Sequence, residues 1–192
     1  MSKSYAFVAA FLFLILTVSP VVSQEDLPGL IKRVESSIVM IVTYSKEGSM
    51  LGQGSGFFID KKGDVITNSH VLQDASRATV KTTDGKEYPI KKVLAEDKEG
   101  DIVQVSVDIS KEAVIPLPVA PKLPEVGERV IVIGTPLGLD KTVSDGIVSA
   151  VREIPGFGKI VQVTAPISPG SSGSPVINMK GEVIGIATFF MV

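Results

Sequence analysis

A run of small residues, Ser168-Pro169-Gly170-Ser171-Ser172-Gly173-Ser174-Pro175, could present a nucleophile. Glycines at 170 and 173 let the backbone turn tightly, so that the Ser172 hydroxyl is displayed and the amide hydrogens of Gly170 and Ser172 converge on one point. Such a point would hold an oxyanion. A Ser/Gly/Pro stretch also serves as a plain turn, and a serine hydroxyl is a poor nucleophile until a base takes its proton. The chain has one imidazole, His70, in Thr67-Asn68-Ser69-His70-Val71-Leu72, so the base is His70 or there is none. A carboxylate must then hold the imidazole tautomer. Asp101, which follows a glycine and opens the apolar run Ile102-Val103-Gln104-Val105, is one candidate; Asp97 is its rival, with Asp74 and Asp60 behind them. Spacing alone does not choose among the four.

The order His, Asp, Ser along the chain is that of the chymotrypsin-type arrangement, whereas α/β-hydrolases run Ser, acid, His and end their elbow on a glycine where this chain has Ser174. Other chemistries fall away on composition. Zero Cys and one His exclude Cys-based metal sites and any site needing two imidazoles, so no metal or cofactor is expected. Gly52-Gln53-Gly54-Ser55-Gly56 lacks the later glycine of a dinucleotide fingerprint, and neither Gly85-Lys86 nor Gly158-Lys159 has the rest of a phosphate loop. Those glycines at 52–56 read as close backbone packing in a strand. Nineteen Lys and Arg against 21 Asp and Glu give a net charge of −2 with no charged run, which argues against a nucleic-acid partner.

The elements that must position these groups are mostly strands. Residues 1–23 read as a signal peptide, with Lys3 ahead of an apolar stretch, Pro20 as a break and small residues at 21 and 23 before a cut at Gln24; an N-terminal membrane anchor over 5–22 is the alternative. Either way the domain is exported, to the periplasm or outside the cell. Apolar Leu27, Leu30, Ile31 and Val34 follow at helical spacing behind Asp26 as N-cap. Strands are then expected at 38–44, 54–59, 65–67, 78–82, 88–95 and 102–107, and, past a connector with Pro116, Pro118, Pro121 and Pro124, at 129–134, 142–152, 160–165, 175–178 and 182–190. Short strands so spaced predict an all-β barrel or sandwich with one short N-terminal helix.

With the residues assembled this way, the chain from Leu27 onward resembles the HtrA-type branch of the trypsin-like serine proteases. The blocks that carry the resemblance are Gly54-Ser55-Gly56-Phe57-Phe58-Ile59 with Val65-Ile66-Thr67-Asn68-Ser69-His70-Val71, the segment 97–107, Ile133-Gly134-Thr135-Pro136-Leu137-Gly138 with Val143-Ser144-Asp145-Gly146-Ile147-Val148-Ser149, and 167–175. The resemblance implies two antiparallel β-barrels of six-stranded type: a protease domain over 24–192 with the first barrel about 37–112, the connector 113–126 and the second barrel about 127–192. It implies a triad of His70, Asp101 and Ser172, with Asp97 noncatalytic, an oxyanion hole from Gly170 and Ser172, and a substrate pocket from Ile167, Ile186, Ala187 and Thr188 that prefers small or medium aliphatic residues. The edge 186–190 is where an extended peptide would add as a strand. Two departures stand out: Ser174 replaces the second glycine of the family's Gly-Asn-Ser-Gly-Gly, and the chain stops at Phe189-Phe190-Met191-Val192, before the strand that closes the second barrel and without a PDZ domain. The implied function is an exported serine endopeptidase acting on unfolded or misfolded proteins; the alternative is a catalytically impaired relative that binds extended peptides as a chaperone or adaptor. The family often forms trimers through an N-terminal aromatic anchor, and residues 24–43 contain no aromatic.

Overall fold

A computed structural model describes residues 26–135, 142–155 and 158–188. The leader at 1–23, with its alternative anchor over 5–22, lies outside the described residues; among those that are described, no helix is long and apolar enough to cross a membrane. Helix α1 (Leu27–Val34) starts where the sequence places it, because the Asp26 carboxylate accepts the Gly29 amide at 3.0 Å and a proline stands in the first turn, where its missing N–H costs nothing. Its apolar stripe buries Leu30 and Val34.

Six strands then close a barrel in the order β1-β2-β3-β6-β5-β4: β1 (Ile38–Tyr44), β2 (Met50–Phe58), β3 (Asp64–Thr67), β4 (Arg77–Lys81), β5 (Glu87–Asp97) and β6 (Ile102–Val107). The second half is a five-stranded sheet in the order β11-β10-β7-β8-β9, built from β7 (Arg129–Gly134), β8 (Thr142–Ile154), β9 (Gly158–Val163), β10 (Pro175–Asn178) and β11 (Val183–Ile186). It is open, with β11 and β9 at its edges.

Several boundaries differ from expectation, three of them for evident reasons. Strand β2 begins at Met50 rather than Gly54, because Met50 to Gln53 continue the antiparallel ladder against β1 despite the glycine at 52. The hairpin β8–β9 runs to Ile154 and restarts at Gly158, longer than the apolar run because exposed polar residues still complete its ladder. The expected strand 182–190 ends at Ile186, where the chain is drawn to the preceding loop: Ala187 accepts the Gly173 amide at 3.0 Å and donates its own to Ser174 at 2.8 Å. Residues 189 and 190 lie outside the described residues.

Strand alternation divides the apolar side chains among three cores. Phe58, Val39 and Ile41 fill the first barrel, while Val130, Val132 and Val176 serve the second sheet. Their neighbours Phe57, Ile38, Ile131, Ile133 and Ile177 point the other way, into a shared core with Leu30 and Val34 of α1 and Leu117 of the connector. The Pro-rich connector does not form a strand, yet its non-proline backbone pairs where it can. Leu117 donates to Phe58 at 2.9 Å, and Val119 bridges Val183, with Val183 donating to Pro118 at 2.7 Å and Ala120 donating to Val183 at 2.9 Å.

Candidate active site

His70 sits on the 3₁₀ turn Ser69–Leu72 that leaves β3. Asp101 sits on the turn between β5 and β6, at a φ of +54°, a left-handed conformation that aspartate tolerates better than most residues. Several bonds stabilise that turn. The Asp97 carboxylate accepts the Gly100 amide at 3.0 Å, and a Cβ at Gly100 would fall 2.7 Å from that carboxylate, so a side chain there would displace the capping acid. The Asp101 carbonyl accepts Asn68 Nδ2 at 2.8 Å and the Ser69 amide at 3.3 Å.

The Asp101 carboxylate faces the imidazole squarely. Its Oδ1 accepts the His70 amide at 3.0 Å and its Oδ2 lies 2.6 Å from His70 Nδ1. A carboxylate only accepts, so Nδ1 carries the proton and Nε2 keeps a free lone pair. Oδ2 also accepts the Thr188 hydroxyl at 2.9 Å. Of the four acids left open by spacing, Asp101 alone reaches the ring: Asp97 caps its own turn, Asp60 Oδ1 binds the Lys62 and Asp64 amides, and Asp74 takes a left-handed φ of +60°.

Ser172 comes from the loop between β9 and β10. Gly170 and Gly173 adopt φ values of +94° and +85°, so this tight turn needs glycine at both positions. Gly173 has no room for a side chain, since a Cβ there would meet the Ser55 carbonyl at 2.0 Å. The loop's amides divide into two groups. Those of Ser168, Ser171, Gly173 and Ser174 all have acceptors within the protein, Pro169 has no N–H, and those of Gly170 and Ser172 have no acceptor among the described residues. Ser174 needs no positive φ, and its buried hydroxyl has no partner; a Cβ at Gly134 would come within 2.3 Å of it, so Gly134 makes the room it occupies.

Beside Ser172 opens a cavity of about 240 Å³ lined by Ile167, Ser168, Pro169, Ser171, Ser172, Ala187 and Thr188. Ile186 is not in it. It lines a separate apolar cleft with Phe57, Ile66, Ile102 and the connector, because strand alternation sends it to the face opposite Ala187. Thr188 meets both descriptions, lining the cavity while its hydroxyl binds Asp101. No cluster of residues able to hold a metal ion occurs among the described residues.

Sequence reasoning missed Asn68, Thr188 as a partner of Asp101, and Ser55, whose amide donates to the Ser172 carbonyl at 2.8 Å. None carries a sequence signal of its own, because their partners are tens of residues away.

A closed six-stranded barrel followed by a five-stranded sheet, with the His70–Asp101 pair of the first half joined through Thr188 to the cavity lined by Ser172 of the second, defines the class of chymotrypsin-like folds. Residues 54–186 match the family model described as "Trypsin-like peptidase domain", which covers more than half of the chain, and the chain belongs to that family. Among curated relatives, "Probable periplasmic serine endoprotease DegP-like" of Pseudomonas putida is 42% identical over 136 residues, 69% of this chain and 28% of the relative. "Protease Do-like 1, chloroplastic" of Arabidopsis thaliana is 37% identical over 145 residues, covering 71% and 33%. The solved structure "Crystal structure of the serine endoprotease from Yersinia pestis" superposes with a TM-score of 0.72 at 28% identity, over 82% of this chain and 55% of that one. The chain thus spans about a third of the length of the curated relatives it matches.

Proposed function

We propose that this domain is a serine endopeptidase. The observation that carries the reading is the His70–Asp101 pair, bonded at 2.6 Å and joined through the Thr188 hydroxyl to the cavity lined by Ser172, a serine whose own amide and that of Gly170 lack acceptors among the described residues. His70 Nε2 draws the proton from Ser172 Oγ as it attacks a peptide carbonyl; the charge on the carbonyl oxygen falls to the Gly170 and Ser172 amides. The imidazolium is stabilised by Asp101 and protonates the departing amine. Water, activated by the same nitrogen, then releases the acyl group. His70 is 44% exposed and Asp101 22%, so substrate and water can reach the base while the acid stays sheltered behind it.

The cavity is walled by Ile167, Pro169 and Ala187 and contains no carboxylate, which favours small or medium aliphatic residues before the cut over Lys or Arg. Extended, unfolded polypeptides are the substrate class that belongs to this reading. Export to the periplasm or beyond is supported by the leader-like residues 1–23 and by relatives named periplasmic.

Covalent labelling of the full chain with a fluorophosphonate, followed by mass mapping, tests it. Label on Ser172, lost in Ser172→Ala and in His70→Ala, is the expected result. A folded protein that takes no label would sink the assignment and favour the peptide-binding alternative.

A further inference from the structure

We propose that Ser55 is a positioning residue for the oxyanion-binding amides, acting from the first barrel through the Gly170 carbonyl. The inference rests on the assignment of Ser172 as nucleophile. Ser55 lies in β2, inside the glycine run, and is fully buried. Every polar atom it has is engaged. Its amide donates to the Ser172 carbonyl at 2.8 Å, and its carbonyl accepts the Thr67 hydroxyl at 2.7 Å. Its hydroxyl accepts the Thr135 amide at 3.0 Å, lies 3.3 Å from Thr135 Oγ1 and donates to the Gly170 carbonyl at 2.9 Å.

The direction of that last bond is determined by counting protons. A hydroxyl has one proton, and the Gly170 carbonyl has none, so the proton lies between them; the Thr135 amide and hydroxyl then fill the acceptor side. Ser55 therefore holds the carbonyls on both sides of Ser171, those of Gly170 and Ser172, turned toward the first barrel. The Gly170 and Ser172 amides are the two left without acceptors among the described residues. Glycine at φ +94° has wide torsional freedom; the Gly170–Ser171 peptide is restrained from one side by the Ser171 amide bond to the Ser168 carbonyl and from the other by the Ser55 bond to the Gly170 carbonyl. Without the hydroxyl, the backbone bonds from Ser55 to Ser172 and from Ser171 to Ser168 survive, but the Gly170–Ser171 peptide is held on one side only and the Gly170 amide is less firmly aimed. This places one determinant of the second barrel's chemistry on a strand of the first.

The test measures kcat and KM of full-length Ser55→Ala on a peptide p-nitroanilide with Val before the cut, each rate divided by the concentration of sites labelled by fluorophosphonate. Loss of amide orientation acts on the transition state, so kcat should fall about ten- to hundredfold while KM stays within about twofold. Ser55→Cys, which fills the same space with a weak donor, should lose kcat in the same direction and decides the matter if the alanine variant does not fold. A kcat per labelled site within about twofold of wild type, with or without a lower melting temperature, overturns the proposal. Wild-type protein that takes no label overturns the nucleophile assignment beneath it, and that result is read before any variant is made.

Discussion

Three protons point at the Asp101 carboxylate, from the His70 amide, from His70 Nδ1 and from the Thr188 hydroxyl. The first two fix where the ring stands and which nitrogen is free. The third comes from the opposite half of the molecule and shares Oδ2 with the imidazole, so it limits rotation of the carboxylate about its own axis. Thr188→Val keeps the shape and removes this bond. Its expected effect is a loss of about tenfold or less in kcat, with labelling of Ser172 retained but slowed, since a single hydrogen bond to a charged group is worth about 1.5–3 kcal/mol and water can partly replace it at this half-buried site. An unchanged labelling rate would show that Asp101 needs no help from Thr188. Ser174 carries the opposite lesson: where the resemblance implies a glycine, a side chain fits sterically because the neighbouring Gly134 leaves space for it.

Strand β2 does more than close the first barrel. Its end passes between the turn that carries His70 and the loop that carries Ser172, and glycine at 54 permits the approach. A Cβ there would stand 2.7 Å from Val71 Cγ2, next in sequence to His70, and 3.2 Å from the Ser172 carbonyl oxygen. Gly54→Ala must push the base and the nucleophile apart. It should lower stability by about 1–3 kcal/mol, as overpacking does, and cost activity beyond what that instability explains. Gly52→Ala, two residues back on the same strand, is the control, because its Cβ would make only an ordinary 3.7 Å contact with Thr43 Oγ1. Equal activity in the two variants, measured as turnover per labelled site, would show that close approach at position 54 does not matter. The glycines at 54 and 56 are thus structural, as a strand reading of the run implies; Ser55 between them is where that reading stopped short.

Across the whole molecule, the two halves are joined by a common core rather than by a hinge. Phe57 and Ile38 from the barrel, Ile131, Ile133 and Ile177 from the sheet, and Leu30 of α1 pack into one cluster, so damage to either half should appear in a single unfolding transition. Asp64 provides a measurable case. It is largely buried at the start of β3, accepts Gln104 Nε2 at 3.1 Å, and has its pKa raised from the ordinary 3.8, first by desolvation and then by the nearby Asp60 charge. A native pKa above the unfolded one means that the folded protein binds the extra proton. The stability this group contributes is therefore complete below the unfolded pKa and is lost as pH rises through the higher native value. Asp64→Asn should accordingly gain stability relative to wild type at about pH 7 and lose that advantage near about pH 4, read as the difference in urea midpoint. A difference that does not change with pH would refute the sign argued here.

The sequence by itself determined the all-β class, the first helix and its cap, most strand centres, and the three residue types that could form a triad, because these depend on short-range periodicity and on a composition with one histidine. The resemblance, not the pattern of residues, put Ile167 and Ala187 among the pocket residues, and both line the cavity beside Ser172. Spacing left the acid open among four and the resemblance implied Asp101, and the tertiary structure shows Asp101 facing His70; only that structure decided that Ile186 turns away to the other face, that β11 ends at Ile186, and that Ser55 and Thr188 bond to the site. Each of those outcomes depends on contacts between segments distant in the chain. The Ser55 to Gly170 bond spans 115 residues and the Thr188 to Asp101 bond 87, and no local pattern records which distant partner a buried hydroxyl will meet.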